Sequence, residues 1–247
     1  MKSYLKKLIV SIFGIEFIGV FNRWRSYRKN YKNNRFSRAN IDKKLESLLP
    51  HSNGFYVELG ANDGALGSNS YFFELEKNWK GILVEPSPNL YLSCKKRRGK
   101  NNHIFCNACV PFNYTDEFVR MKYSDSMTIS DSLSLDIDNP DEFIASGDDH
   151  LLPGESTFIF GAKSATLNSL LLEALAPSLI DFLSLDVEGA ELDVLKGLDF
   201  NKFRFKYMVI ECRNISNLES FLSNKPYKLI EKLSNQDYLF ALDKNQY

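Results

Sequence analysis

The sequence carries no net charge: 31 lysines and arginines stand against 31 aspartates and glutamates. Without a global positive field, no nucleic-acid partner is expected. Cysteine is scarce, with four in 247 residues. That is too few for a disulfide scaffold and points to free thiols in a reducing, cytoplasmic compartment. An apolar run long enough to span a membrane is also missing. Residues 8–21 come nearest, but Ser11 and Glu16 interrupt them. As a helix they would reach about 21 Å, short of a ~30 Å hydrocarbon core. No small-residue cleavage site follows, so a secretory signal is not expected. No internal repeat is evident. What is present, 44% hydrophobic and 25% charged residues, suits one soluble α/β domain with an appendage.

The most informative stretch lies at residues 55–67. A short apolar run over 55–59 reads as a buried strand. It stops at Gly60, and Gly60 and Gly64 permit a sharp turn. A helix over residues 71–76 follows, with serine or asparagine as its cap. Strand, glycine turn and helix build the ligand crevice of an open parallel sheet. The glycines are spaced Gly60-x-x-x-Gly64-x-x-Gly67, which is not the Gly-x-Gly-x-x-Gly of dinucleotide binders. Glu58, on the strand, would repel a pyrophosphate but suits a cationic, zwitterionic ligand. S-adenosylmethionine has a sulfonium, an amino group and no phosphate. A second strand over residues 81–84 ends at Glu85-Pro86, about 20 residues past the turn, where a carboxylate takes a ribose hydroxyl pair. Pro86 cannot continue a ladder and leaves Glu85 at the strand tip.

Three motifs now stand together: Val57-Glu58-Leu59-Gly60-Ala61-Asn62-Asp63-Gly64, then Val84-Glu85-Pro86, then Leu185-Asp186-Val187-Glu188-Gly189-Ala190-Glu191. In these motifs the sequence resembles the FkbM-type methyltransferases, over roughly residues 45–242. The resemblance implies a class I methyltransferase fold: a doubly wound, Rossmann-like, mostly parallel α/β sheet with a C-terminal antiparallel hairpin. It implies S-adenosylmethionine as cofactor and a hydroxyl of a sugar, glycan or other small molecule as acceptor. The expected cofactor-binding residues are Glu58, Gly60, Asn62, Asp63 and Gly64 for the methionine part, Glu85 for the ribose, Asn107 and Ala108 near the adenine, and Ala61, Asn69, Pro86 and Asp186 as further contacts. A nicotinamide-dependent oxidoreductase and a non-catalytic binding module that kept the fold are the alternatives. The glycine spacing disfavours the first and the intact acids the second.

Further strands are expected over residues 104–110, 157–161, 181–186 and 205–211, with a terminal hairpin from 227–233 and 238–242. Residues 116–123 alternate and suit an added strand. Helices are expected over 40–49, 166–175, 189–198 and 214–223. The basic run Lys95-Lys96-Arg97-Arg98 reads as a solvated helix end with cations at the negative dipole. Cys106-x-x-Cys109 sits on a strand, where residues three apart face opposite sides. Packed, inert thiols therefore fit better than a zinc site. Residues 45–247 form the methyltransferase domain, and the polar insertion over 124–155, which includes His150, reads as a lid over the acceptor. Residues 1–44 form a basic extension with an apolar helix. It packs on the domain or on a second copy, or it lies at the inner face of an anionic membrane, where residues 1–38 make a peripheral contact.

Methyl transfer to an alcohol needs a base or a metal to lower the acceptor's pKa. Glu85, Asp186 and Glu211 fall at strand tips, and Glu188 follows in the next turn. Asp186 or Glu188 is expected to be the catalytic base. Asp186, Glu211 and Asn214 are candidate ligands for magnesium (Mg2+). His51 and His103 lie at the amino ends of strands, the wrong edge.

Overall fold

A computed structural model describes residues 35–147, 151 and 156–243. His150 and residues 1–34, with their apolar run and most of their basic residues, lie outside the described residues. No helix among the described residues is long and apolar enough to cross a membrane.

The main sheet has seven strands. Five are parallel: β1 (Phe55–Leu59), β2 (Lys80–Val84), β3 (His103–Phe105), β8 (Leu179–Leu185) and β9 (Arg204–Glu211). The last two, β10 (Tyr227–Lys232) and β11 (Asp237–Leu242), form an antiparallel hairpin whose second strand inserts beside β9. The order across the sheet is β10-β11-β9-β8-β1-β2-β3. The strand order reverses between β1 and β8, which opens a crevice at the carboxyl edge there.

Alternation along β1 assigns its two faces. Val57 and Leu59 join one apolar layer with β8 residues Leu183 and Leu185 and with α5 (Leu167–Glu173) and α6 (Glu191–Leu195). Tyr56 joins the opposite layer with α1 (Ile41–Leu48) and α2 (Tyr71–Lys77). Local sequence starts the helices. Thr166 Oγ1 accepts from Ser169 N at 3.1 Å to cap α5, and Pro88 opens α3 (Pro88–Arg98) with its fixed φ.

Four further strands build a second sheet of order β4-β7-β5-β6. They are β4 (Ala108–Cys109), β5 (Phe118–Tyr123), β6 (Ile129–Ser130) and β7 (Phe158–Ala165). The single strand expected over residues 104–110 is thereby corrected. The chain leaves the main sheet after Phe105, and Ala108 and Cys109 pair with Ser164 and Ala165 instead. Ordered structure also enters the insertion, as a 3-10 turn at Asp125–Met127, β6 and α4 (Pro140–Ser146).

The basic helix end holds a second correction. Arg98 is 1% exposed, not solvated. Its Nε donates to Glu74 Oε2 at 2.7 Å, and its Nη1 to Glu58 Oε2 at 3.2 Å and to Gly64 O at 3.1 Å. Its Nη2 donates to Tyr56 OH at 2.6 Å and Ser70 Oγ at 2.9 Å. The guanidinium thus locks β1, the glycine turn, α2 and α3 to one another. Truncating it would strand two carboxylates away from water.

Candidate active site

The turn after β1 is shaped by close approach. Gly60 has φ +75°, and a Cβ there would sit 1.7 Å from the carbonyl oxygen of Asp186. Only glycine lets the loops after β1 and β8 come this near. Gly60 N and Ala61 N donate to Val84 O at 3.1 Å each, which fixes the turn against the tip of β2. Asp63 Oδ1 accepts from Ala65 N and Leu66 N at 3.1 Å each. Asp63 and Gly64 shape this turn and line neither of the two cavities beside it.

Two adjoining cavities open along the carboxyl edge and share Gly60, Asn62, Asp186 and Glu188. The first runs past Glu85, Pro86, Asn107 and Ala108 to Met121 of β5. Glu85 is held by two backbone amides, Asn62 N at 2.8 Å on Oε2 and Ser87 N at 2.9 Å on Oε1. Burial pushes its carboxyl up to about 7, against the pull of those amides. The second cavity holds Ala61, Asn69, Glu58 and Glu211. Glu58 is 3% exposed and already accepts from Ser68 Oγ, Ser70 Oγ, Asn69 N and Arg98. Its role is to fix the turn, so it faces the cavity with little acceptor capacity to spare. Asn69 is 7% exposed. Its Nδ2 donates to Ser184 Oγ at 3.0 Å, while its Oδ1 has no partner. A buried acceptor without a donor fits an incoming ammonium group.

Asp186, Glu188 and Glu211 bring carboxylate oxygens within 4.8 Å of one another. Among the described residues this is the group of three whose ligand atoms stand close enough to share a cation. Asp186 is open to water in the cleft, but the protein around it excludes enough solvent to raise its pKa well above the ordinary range, and Glu211 adds repulsion. Burial and Asp186 lift Glu188 to about 8, although Arg213 Nη2 donates to its Oε2 at 3.0 Å. Glu211 is also raised, by burial first, and its Oε2 is buried without a partner. Like charges this close cannot all ionise unaided. A proton or a cation must compensate, and three hard oxygens suit magnesium.

Asn214 does not belong to this cluster. Its Oδ1 accepts from Asn217 N at 3.3 Å and caps α7 (Ile215–Leu222), while its N donates to Asp136 Oδ2 at 2.5 Å. Among the described residues, Glu188 and not Asn214 stands with Asp186 and Glu211 in the group whose oxygens lie within 4.8 Å.

Further residues support the site, among them Glu191 of the third motif and two residues of the insertion that carry no sequence signal. Glu191 Oε1 accepts from Val187 N at 2.9 Å and Gly189 N at 3.1 Å, bracing the loop that carries Asp186 and Glu188. Asp136 of the insertion ties the loop after β9, and Ser126 borders both cavities. Their acid and serine neighbours made the insertion look uniformly polar.

A reversed seven-stranded sheet with a terminal hairpin, a turn built on Gly60 and an acid at the β2 tip define a class I S-adenosylmethionine-dependent methyltransferase. The model of the methyltransferase FkbM domain matches residues 58–240, and the chain belongs to that family. No curated protein matches the chain. Solved structures similar to it include three methyltransferases. The METTL16 methyltransferase domain has 12% identity and a TM-score of 0.44, covering 82% of this chain; the chain spans only 66% of that one. A putative RNA methyltransferase from Pyrococcus horikoshii has 12% identity and a TM-score of 0.41, over 85% and 83% of the two chains. A methyltransferase from Geobacter sulfurreducens has 11% identity and a TM-score of 0.42, over 98% and 93%. All three scores are below 0.5.

Proposed function

We propose that this methyltransferase acts on a hydroxyl of a sugar, a glycan or another small molecule. The observation that carries the reading is the crowded trio Asp186, Glu188 and Glu211, in which Arg213 pairs with Glu188 alone and which borders the same cavities as the cofactor residues. The cofactor supplies an electrophilic methyl group: its carbon–sulfur bond breaks, a carbon–oxygen bond forms, and the sulfonium leaves as a thioether. The protein's task is to align the acceptor oxygen and take its proton. Asp186 or Glu188 is the base. Burial lifts both carboxyls above the ordinary range, Glu188 to about 8, which favours holding a proton.

Glu85 takes the ribose, Asn107 and Ala108 flank the adenine, and Gly60, Ala61, Asn62 and Asn69 surround the methionine part. Magnesium, when bound by Asp186, Glu188 and Glu211, would lower the acceptor's pKa. Residues 1–38 make a peripheral membrane contact, which would bring the site to membrane-attached glycans.

The test is methyl transfer from labelled cofactor to a panel of hydroxylated sugars and glycans, with and without magnesium. Label on oxygen supports the reading. Label found only on nitrogen or carbon acceptors overturns it. Flotation with vesicles, with and without residues 1–34, checks the membrane contact while leaving residues 36–40 in place.

A further inference from the structure

The second cavity has an electrostatic asymmetry. Asp186, Glu188, Glu211 and Asp237 line it, and Arg38 is the one lysine or arginine among its described lining residues. Arg38 is exposed, and no hydrogen bond or ion pair engages its guanidinium among the described residues. A surface arginine beside this many acids would ordinarily be drawn into a salt bridge. Here the backbone holds it on the rim instead.

A strap of residues 36–40 accounts for this. Gly67 N donates to Phe36 O at 3.1 Å, and Ser37 bridges Gly67. Phe36 N donates to Asp42 Oδ2 at 3.0 Å, and Asp42 N donates to Ser37 Oγ at 2.9 Å. The Phe36 ring packs on Tyr71 at 4.5 Å. Ala39 and Asn40 then take φ +52° and +58°, a left-handed conformation that residues with a Cβ avoid. Two such residues in succession reverse the chain into α1 and leave Arg38 over the glycine turn. Its Nε lies 3.9 Å from where a Cβ on Gly67 would stand. Strain of this kind persists where its surroundings fix it, and it gathers at ligand-binding positions.

The methyl donor's methionine end is zwitterionic. Its sulfonium and ammonium groups suit the acids and the partnerless Oδ1 of Asn69. Its carboxylate meets only repulsion from those acids and needs a cation. We propose that Arg38 receives the methionine carboxylate of the methyl donor, which makes it a specificity-determining residue for the intact amino-acid end. The inference rests on these cavities being the S-adenosylmethionine site. A planar guanidinium matches the two oxygens of a carboxylate.

Titration calorimetry with two nucleosides tests it. S-adenosylhomocysteine keeps the carboxylate, while 5′-methylthioadenosine lacks the amino acid altogether. Arg38→Ala should weaken S-adenosylhomocysteine about 10–100-fold and leave 5′-methylthioadenosine within about twofold. Arg38→Lys should recover part of the loss. Equal weakening of both nucleosides would make the strap merely structural, and no weakening of either would remove Arg38 from the cofactor; both outcomes overturn the proposal. A rise confined to the KM of an acidic acceptor would assign Arg38 to the acceptor's carboxylate and also overturn it. If the wild-type protein bound neither nucleoside, the cofactor site itself would be misplaced, a failure distinct from one confined to Arg38→Ala.

Discussion

Two groups of carboxylates lie beside the glycine turn, and they are treated differently. In one, Glu58 and Glu74 share the buried guanidinium of Arg98, with Tyr56, Ser68 and Ser70 completing the network. In the other, Asp186 and Glu211 share no such cation among the described residues, and Glu188 has Arg213 alone. The first group is closed: its donors and acceptors answer one another, and it holds β1 to α3. The second is open, with a buried oxygen of Glu211 left without a donor. Satisfied buried charge serves architecture, while unsatisfied charge at a strand tip is poised for a ligand.

The sharpest way to break the comparison is to remove the cation from the closed group. Arg98→Met should leave Glu58 and Glu74 uncompensated and cost about 3–5 kcal/mol, read from urea unfolding. A midpoint within error of wild type would show that the network is incidental.

The open group should respond in the opposite sense. Asp186→Asn removes a like charge from the trio, so stability should hold or rise. Methyl transfer should fall about 10²–10⁴-fold if Asp186 is the base. Unchanged turnover would pass that role to Glu188. The pH profile separates the two further. Glu188 ionises at about 8, so base-assisted transfer by Glu188 should climb through that pH and then level off. Glu188→Gln should abolish the climb. A flat profile in the wild-type enzyme would contradict the assignment.

The smallest expected effect concerns stability against pH. Burial lifts Glu85 and Glu191 to about 7 in the folded chain, above the ordinary 4.5. Folding then favours their protonated forms. That stabilisation is complete below 4.5 and is lost as pH rises through 7. The melting temperature should fall between about pH 5 and about pH 8, and Glu85→Gln should lessen the drop. A rising melting temperature over that interval would show that other groups dominate.

The open group was legible in the sequence because Asp186 and Glu211 sit at strand ends and Glu188 follows in the next turn. An apolar run ending in an acid, as at Leu185-Asp186 or Ile210-Glu211, announces both the strand and its tip. The closed group was not legible. Arg98 stands last in a run of four cations, and its burial depends on Glu58 and Glu74, 40 and 24 residues away. The second sheet was only partly legible. Residues 118–123 alternate as a strand should, but Ala108 and Cys109 looked continuous with β3 until their partners across β7 were seen. Asn214 was misassigned for a local reason. A position just past a strand tip is also the position just before a helix, and its side chain was taken by the cap.

The most direct measurement is a crystal structure with S-adenosylhomocysteine bound. The account predicts the ribose hydroxyls on Glu85, the adenine beside Asn107 and Ala108, and the sulfur facing Asp186, Glu188 and Glu211. A nucleoside bound away from the turn after β1, or a cleft that stays empty at saturating ligand, would contradict it.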